Sequence, residues 1–295
     1  MIDLLSGPDV VVHGDNAAVL AKLPDESFQL VYVDPPFNTG GRRDRRTLRV
    51  TREQGDEAAG DRTGFGGRRY TSVETGRMSY RDSFDDYAGF LAPRLEEARR
   101  LLTPSGTLYV HLDWREAHYV KVLLDGIFGR DCFLNEVIWA YDFGGRGKGR
   151  WPAKHDTILV YVKEPGGHLF EQDQITRIPY LAPSLVGPEK AARGKLPTDV
   201  WWHTIVPTAG KEKTGYPTQK PEGVLRRVLE PSSRPGDWVL DFFAGSGTTG
   251  AVAAAMGRRF VLVDENPQAL EVMRVRLPEG TAYVDVDGRV LLPPV

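Results

Sequence analysis

Two short apolar runs, each closed by a carboxylate, constrain the fold of this chain more than any other feature. Phe28-Gln-Leu-Val-Tyr-Val33 runs straight into Asp34-Pro-Pro-Phe37, and Asp237-Trp-Val-Leu240 runs into Asp241-Phe-Phe-Ala-Gly-Ser-Gly-Thr248. Runs this short and this apolar are expected of strands buried on both faces, as in parallel sheets covered by helices. An acid at the end of such a strand stands where an open α/β sheet presents side chains to a ligand. Further strands are expected at 10–13, 107–112, 157–162 and 260–263, and helices at 85–102, 115–128, 221–229 and 250–256. This alternation predicts an α/β fold with a doubly wound, mostly parallel sheet.

Two stretches break the rhythm. Residues 40–79 are rich in Gly, Arg and Thr, with little apolar periodicity, and are too long for an ordinary connection. They carry Arg42, Arg43, Arg45, Arg46, Arg49 and Arg52, then Arg62, Arg68, Arg69 and Arg77, and read as a mobile Arg/Gly-rich loop. Residues 164–215 hold many prolines and no clean period, and read as a small irregular subdomain. The remaining segments, 1–39, 80–163 and 216–278, would form one domain, with 279–295 as a C-terminal tail.

Asp34-Pro35-Pro36-Phe37 carries the sharpest chemical signal. Two prolines after a buried strand stop it and stiffen the turn, so the carboxylate before them and the ring after them are held in fixed relation. Such a turn suits a planar ring bearing an amine. Asp34 and the Pro35 carbonyl can accept its two N–H bonds while Phe37 stacks on the ring. An exocyclic amine of a nucleobase is a poor nucleophile because its lone pair is delocalised into the ring. Two acceptors favour a more tetrahedral nitrogen and stabilise the positive charge that develops as it attacks. Taken alone, the tetrapeptide also reads as an ordinary Asp-Pro turn closing a strand.

The second run opens a glycine loop followed by a helix, the context of a nucleotide-type cofactor loop. Gly245 and Gly247 permit a tight backbone and close ligand approach. The loop has no Gly-Lys-Thr of a phosphate-binding Walker loop, and it lacks the full Gly-x-Gly-x-x-Gly spacing. Arg259-Phe-Val-Leu-Val-Asp264 then ends a strand on an acid about twenty residues beyond the loop, where a ribose hydroxyl is typically accepted.

Together these residues resemble the S-adenosylmethionine-dependent amino-methyltransferases that act on DNA. With Asp-Pro-Pro-Phe preceding Phe-x-Gly-x-Gly-Thr, the chain is similar to the circularly permuted β group, in which the catalytic motif comes before the cofactor motif. Ser105-Gly-Thr-Leu-Tyr-Val-His-Leu112, His118-Tyr-Val-Lys121, Asn135-Glu-Val-Ile-Trp139, Lys154-His-Asp-Thr-Ile-Leu-Val-Tyr161 and Gly215-Tyr-Pro-Thr-Gln-Lys-Pro221 extend the resemblance. It implies a Rossmann-like methyltransferase sheet rebuilt from both ends of the chain. Asp34, Pro35, Pro36 and Phe37 would hold a flipped target base. Asp241, Phe242, Ala244, Gly245, Ser246, Gly247 and Thr248 would surround the methionine part of S-adenosylmethionine, with Asp264 on the ribose. Thr218, Lys220 and Pro221 would bind its methionine end, Lys220 pairing with the carboxylate. Asp15, in His13-Gly-Asp-Asn16, would contact the cofactor adenine or simply cap a helix.

By the same resemblance, an Asp at the first motif position points to N6 of adenine, with N4 of cytosine as the alternative. Methylation of RNA or of a protein amide resembles Asn-Pro-Pro-Tyr in the unpermuted order, and an inactive DNA-binding homologue is the non-enzymatic alternative. Double-stranded DNA is the expected partner, with Arg42, Arg43, Arg45, Arg46, Arg68 and Arg69 on its phosphates and 164–215 as the target-recognition candidate. A homodimer and a cognate restriction endonuclease are the further partners the resemblance suggests.

Composition adds boundaries. Among 295 residues, 38 Lys and Arg face 40 Asp and Glu, so binding to nucleic acid through bulk positive charge is not expected. The single cysteine, Cys132, cannot form an internal disulfide, which suits a reducing, cytoplasmic setting. Neither a secretory signal nor a membrane-spanning apolar run is read in the sequence. The histidines His111, His118, His155 and His203 have no metal-ligand spacing, so no metal is expected. Trp201-Trp202 reads as packing rather than base stacking.

Overall fold

The computed structural model describes residues 7–52, 62–63, 69–143, 147–207 and 210–291, with the backbone alone described over 41–82. Its elements in chain order begin with β1 (Val10–His13), α1 (Asn16–Leu20), β2 (Phe28–Val33), β3 (Gly41–Arg52), β4 (Arg62–Thr63) and β5 (Arg69–Asp82). There follow α2 (Tyr87–Leu101), β6 (Leu102–Leu112), α3 (Ala117–Phe128), β7 (Phe133–Ala140), β8 (His155–Val162), α4 (Pro188–Arg193) and β9 (Val200–Trp202). The chain ends through α5 (Glu222–Ser232), β10 (Trp238–Asp241), α6 (Thr248–Ala255), β11 (Arg259–Asp264), α7 (Pro267–Arg276) and β12 (Ala282–Asp285).

Nine of the described strands form one sheet in the order β12-β1-β11-β10-β2-β6-β8-β7-β9. All its neighbours are parallel except β6 with β8 and β7 with β8. Strand alternation divides the core in two. Val31 and Val33 of β2 pack with Leu20, Leu91, Leu95 and Leu124, so α1, α2 and α3 cover one face. Leu30 and Tyr32 pack with Val224, Val228, Val252 and Met273, so α5, α6 and α7 cover the other. Burial on both faces is why β2 and β10 are such continuous apolar runs in sequence.

The pairing of β1 with β11, Val10 opposite Val261 through His13 opposite Asp264, joins the two ends of the chain within the sheet. Helix starts follow local chemistry. The Asp86 side chain accepts from Gly89 N ahead of α2, and Asn266 accepts from Gln268 N ahead of α7, whose first residue is Pro267. No helix among the described residues is long and apolar enough to cross a membrane.

Three segments differ from the sequence expectations. The stretch 40–79 is not irregular in its described part. Strands β3 and β5 pair from Gly41 opposite Asp82 to Arg52 opposite Tyr70, and β4 adds to β5. Thr, Val and Tyr favour strands, but among so many Arg and Gly residues they leave no clean hydrophobic alternation to read. The supposed tail 279–295 supplies β12, which pairs with β1 and forms the edge of the sheet. The irregular segment 164–215 is also less separate than expected. Its β9 extends the main sheet beside β7, and Thr176 bonds through backbone and hydroxyl to Glu230 of α5.

Candidate active site

The sheet reverses its winding between β2 and β10. From β10 the chain passes through α6 on one face to β11, whereas β2 leads to α2 on the other face and then to β6. Helices that depart to opposite faces leave a crevice beyond the strand ends at such a point. A cavity of about 380 Å³ lies there, within the range of small-molecule sites. Both acid-terminated runs feed it. Asp34, Pro35, Pro36 and Phe37 form one wall, while Asp241, Phe242, Ala244, Gly245, Ser246 and Thr248 form another. Asp15, Thr218, Lys220 and Asp264 complete the set of expected residues on its lining.

The Asp34–Phe37 turn is pinned from several elements. Tyr87 of α2 donates its hydroxyl to the Pro36 carbonyl at 2.7 Å. Asn38, with a positive φ of 52°, accepts from Phe84 N at 2.9 Å and donates to Glu116 at 2.8 Å. Lys220 reaches the turn from the segment before α5. Its Nζ donates to Asp34 Oδ2 at 2.5 Å and lies 4.8 Å from the centre of the Phe37 ring. The other oxygen, Asp34 Oδ1, is buried without a hydrogen-bond partner. Thus Lys220, itself on the cavity lining, is paired with Asp34 of this turn. The Asp34 carboxylate has one paired oxygen and one without a hydrogen-bond partner.

On the opposite wall the glycine loop is held by two buried acids. Asp241 Oδ2 accepts from Thr249 Oγ1 at 2.6 Å and its Oδ1 from Phe243 N at 3.0 Å. Asp264 accepts from Gly245 N at 2.7 Å and from Asn266 N at 2.8 Å. Burial pushes the Asp241 carboxyl up to about 7 and the Asp264 carboxyl up to about 6, although these hydrogen bonds pull the other way. Gly245 adopts φ +51°, and Gly247 adopts φ +71° as the N-cap of α6. A Cβ on Gly247 would stand 2.6 Å from Met273 Cγ, so that glycine serves the approach of α7. Gly247 and Pro221 do not line the cavity. Pro221 instead caps α5, its carbonyl accepting from Val224 N at 3.2 Å. Arg276, largely buried, donates to Thr248 Oγ1 at 2.8 Å and braces the loop from behind.

Asp15 takes the helix-capping role and also stands on the cavity wall. It caps α1 by accepting from Ala18 N at 3.0 Å, and it lines the cavity with Arg94 Nη2 3.3 Å away. Asn16 and Arg94 were not legible as site residues. Asn16 donates to the Phe242 carbonyl at 2.8 Å and accepts from Arg94 Nε at 2.6 Å, tying α1, α2 and the glycine loop together. Tyr216 also lines the cavity, and its place in Gly215-Tyr-Pro-Thr-Gln-Lys-Pro221 was the one sequence signal for it. Of the expected DNA contacts, Arg42, Arg43, Arg45 and Arg46 lie on β3, the strand that follows the Asp34–Phe37 turn, whereas Arg69 begins β5 at the opposite end of the ribbon. Arg68 lies outside the described residues. Trp201 is buried, donating to the Thr198 carbonyl, whereas Trp202 is 73% exposed.

An open α/β sheet with an Asp-Pro-Pro-aromatic turn facing a glycine loop across its switch point defines a Rossmann-like methyltransferase. A family model described as DNA methylase, covering N6 and N4 methyltransferases, matches residues 28–275. The chain belongs to this family. It is 29% identical over 286 residues to the DNA adenine methyltransferase YhdJ of Escherichia coli K12, covering 92% of this chain and 84% of that protein. It is also 29% identical over 273 residues to the type II methyltransferase M.HpaI of Haemophilus parainfluenzae, covering 92% and 75%. In fold it is similar to the cytosine-N4-specific PvuII DNA methyltransferase, with TM-score 0.62, 16% identity and coverage of 92% and 88%. A putative DNA modification methylase from Thermus thermophilus, solved with S-adenosyl-L-methionine, gives TM-score 0.57 at 21% identity, with 96% and 100% covered.

The raised Asp241 carboxyl yields a prediction. The folded state binds its proton more tightly than the unfolded chain, so this stabilising contribution is complete below about pH 4 and is lost as pH rises through about 7. Asp241→Asn should therefore gain on the order of 2 kcal/mol relative to the native chain between about pH 5 and pH 8. Urea unfolding at both pH values measures this, and a stability difference independent of pH would contradict the assignment.

Proposed function

We propose that this protein transfers the methyl group of S-adenosylmethionine to N6 of an adenine swung out of double-stranded DNA. The observation that carries this reading is the divided carboxylate of Asp34, a residue of the cavity wall, with Oδ2 held by Lys220 and Oδ1 buried without a hydrogen-bond partner. An unpaired buried acceptor is costly unless a ligand donor meets it, and an exocyclic amine supplies such a donor.

The cavity fits the cofactor in kind. It combines the left-handed Gly245, which lets backbone approach a ligand closely, with apolar Phe242 and Ala244 and the carboxylate of Asp264. Phe242, Ala244, Gly245, Ser246 and Thr248 would hold the methionine part and Asp264 the ribose, with Thr218 near the methionine end. When bound, the cofactor supplies an electrophilic sulfonium methyl with its own leaving group.

The rest of the chemistry belongs to the protein. Asp34 Oδ1 and the Pro35 carbonyl accept the two amine hydrogens and release the nitrogen lone pair from the ring. Phe37 stacks on the extruded base, which the rigid prolines keep in register. The carboxylate then stabilises positive charge growing on the nitrogen and stands as first acceptor of the proton it sheds. The name of the Escherichia coli relative supports adenine as the target. The fold shared with a cytosine-N4-specific enzyme supports N4 of cytosine as the second reading, because both bases offer the same kind of amine. The type II relative supports a cognate restriction endonuclease as partner, and a homodimer acting in the cytoplasm completes the reading.

Asp34→Ala should abolish methyl transfer while leaving cofactor binding within a few-fold of native. Calorimetry showing lost cofactor affinity would overturn the role given to Asp34. Arg42, Arg43, Arg45 and Arg46, on the strand leaving the catalytic turn, would reach DNA phosphates. Replacing all four by Gln should reduce the slope of log affinity against log salt by roughly 0.9 for each phosphate no longer neutralised. An unchanged slope would sink that assignment.

A further inference from the structure

Behind the catalytic turn, a row of polar side chains crosses four adjacent strands on one face of the sheet. Tyr32, two residues before Asp34 on β2, bonds through its hydroxyl to His111 Nδ1 at 2.8 Å. His111, on β6, has no solvent exposure, and its Nε2 lies 3.2 Å from Asp156 Oδ2 on β8. Asp156 Oδ1 in turn accepts from the hydroxyl of Tyr141, just after β7, at 3.1 Å.

The hydrogens of this chain run in one direction. Burial, helped by Asp34, Asp241 and Asp156, holds Tyr32 well above the usual phenol range, so it keeps its proton and must donate it. With Asp156 accepting from Nε2–H, Nδ1 is the acceptor left for that proton. Burial alone would raise Asp156, but its hydrogen bonds with His111 and Tyr141 and the positive charge of Lys220 carry it below the ordinary range.

A buried histidine is tolerated where both ring nitrogens are bonded, but a hydrocarbon ring would fill the same space with no such requirement. What distinguishes this position is its neighbour. The His111 ring packs behind Phe37, with centroids 6.1 Å apart and planes inclined by 35°. Tyr32 and Trp139 meet the imidazole edge-on, at 6.2 and 5.4 Å. Its plane is therefore set both by hydrogen bonds along the chain and by rings at its sides.

We propose that His111 is a positioning residue for methyl transfer, held by Tyr32 and Asp156 so that its ring fixes the plane on which Phe37 stacks the target base. This rests on the base-stacking role given to Phe37 above. A polar link orients a ring more narrowly than apolar packing, and small misplacements of a reacting group are expensive in rate.

A double-mutant cycle in the full chain tests it. His111→Gln and Tyr32→Phe should each slow single-turnover transfer to DNA by roughly 10- to 100-fold, with cofactor affinity unchanged by calorimetry. In a Phe37→Leu background the same substitutions should cost less than about twofold, because the ring they orient is gone. Tyr32→Phe removes a single hydroxyl and carries the test should His111→Gln fail to fold. Equal losses in both backgrounds, or unchanged rates in the native one, would overturn the proposal. Phe37→Leu that alone costs nothing would overturn the base-stacking role and this inference with it. A damaging Phe37→Leu beside a harmless His111→Gln would overturn the inference alone.

Discussion

The parallel pairing of β2 with β10, Val239 opposite Leu30 and Leu240 opposite Val31, is the constraint on which the rest depends. It sets the ends of the two acid-terminated strands side by side at the point where the sheet reverses its winding. Asp34 and Asp241 then face one crevice although they are far apart in sequence. Every other feature of the site refines that placement. The prolines stiffen one turn, the glycines tighten the other, and Lys220 bridges to the first from the segment before α5.

The three acids at this edge do different work because their surroundings differ. Asp241 spends both oxygens on Thr249 and Phe243 and so clamps the loop, while its burial outweighs those hydrogen bonds and favours the protonated form. Asp264 holds the loop through Gly245 and the next turn through Asn266 while still lining the cavity. Asp34 alone keeps an oxygen without a partner. Carboxylates of similar sequence context are thus sorted into structural and chemical roles by desolvation and by the donors each one meets.

What sequence could disclose followed from how local each signal is. Strands β2, β10 and β11 were legible because each is a compact apolar run closed by an acid, and the two turns that line the cavity directly follow β2 and β10. Strands β9 and β12 were not, since three or four residues among prolines and charges carry no period of their own. The ribbon of β3 and β5 was hidden by composition, its arginines obscuring any alternation. Partnerships were the least visible. Lys220 lies 186 residues from Asp34 in sequence, and Asn16 meets Arg94 only after α1 and α2 pack. The motif therefore suggested Lys220 for the cofactor, while the fold seats it against Asp34. The chain from Tyr32 to Tyr141 likewise exists only through the register of four strands.

The near balance of 38 basic and 40 acidic residues does not oppose a DNA substrate, because charge here is segregated. Acids gather in the cleft, and arginines gather on β3 after the Asp34–Phe37 turn, which is where the proposed phosphate contacts lie. The central claim is that this cleft methylates an exocyclic amine of a nucleobase. Mass spectrometry of nucleosides from DNA incubated with the purified protein and S-adenosylmethionine tests it most directly. The expected product is N6-methyladenine. Finding 5-methylcytosine, or no methylated base, would contradict the account.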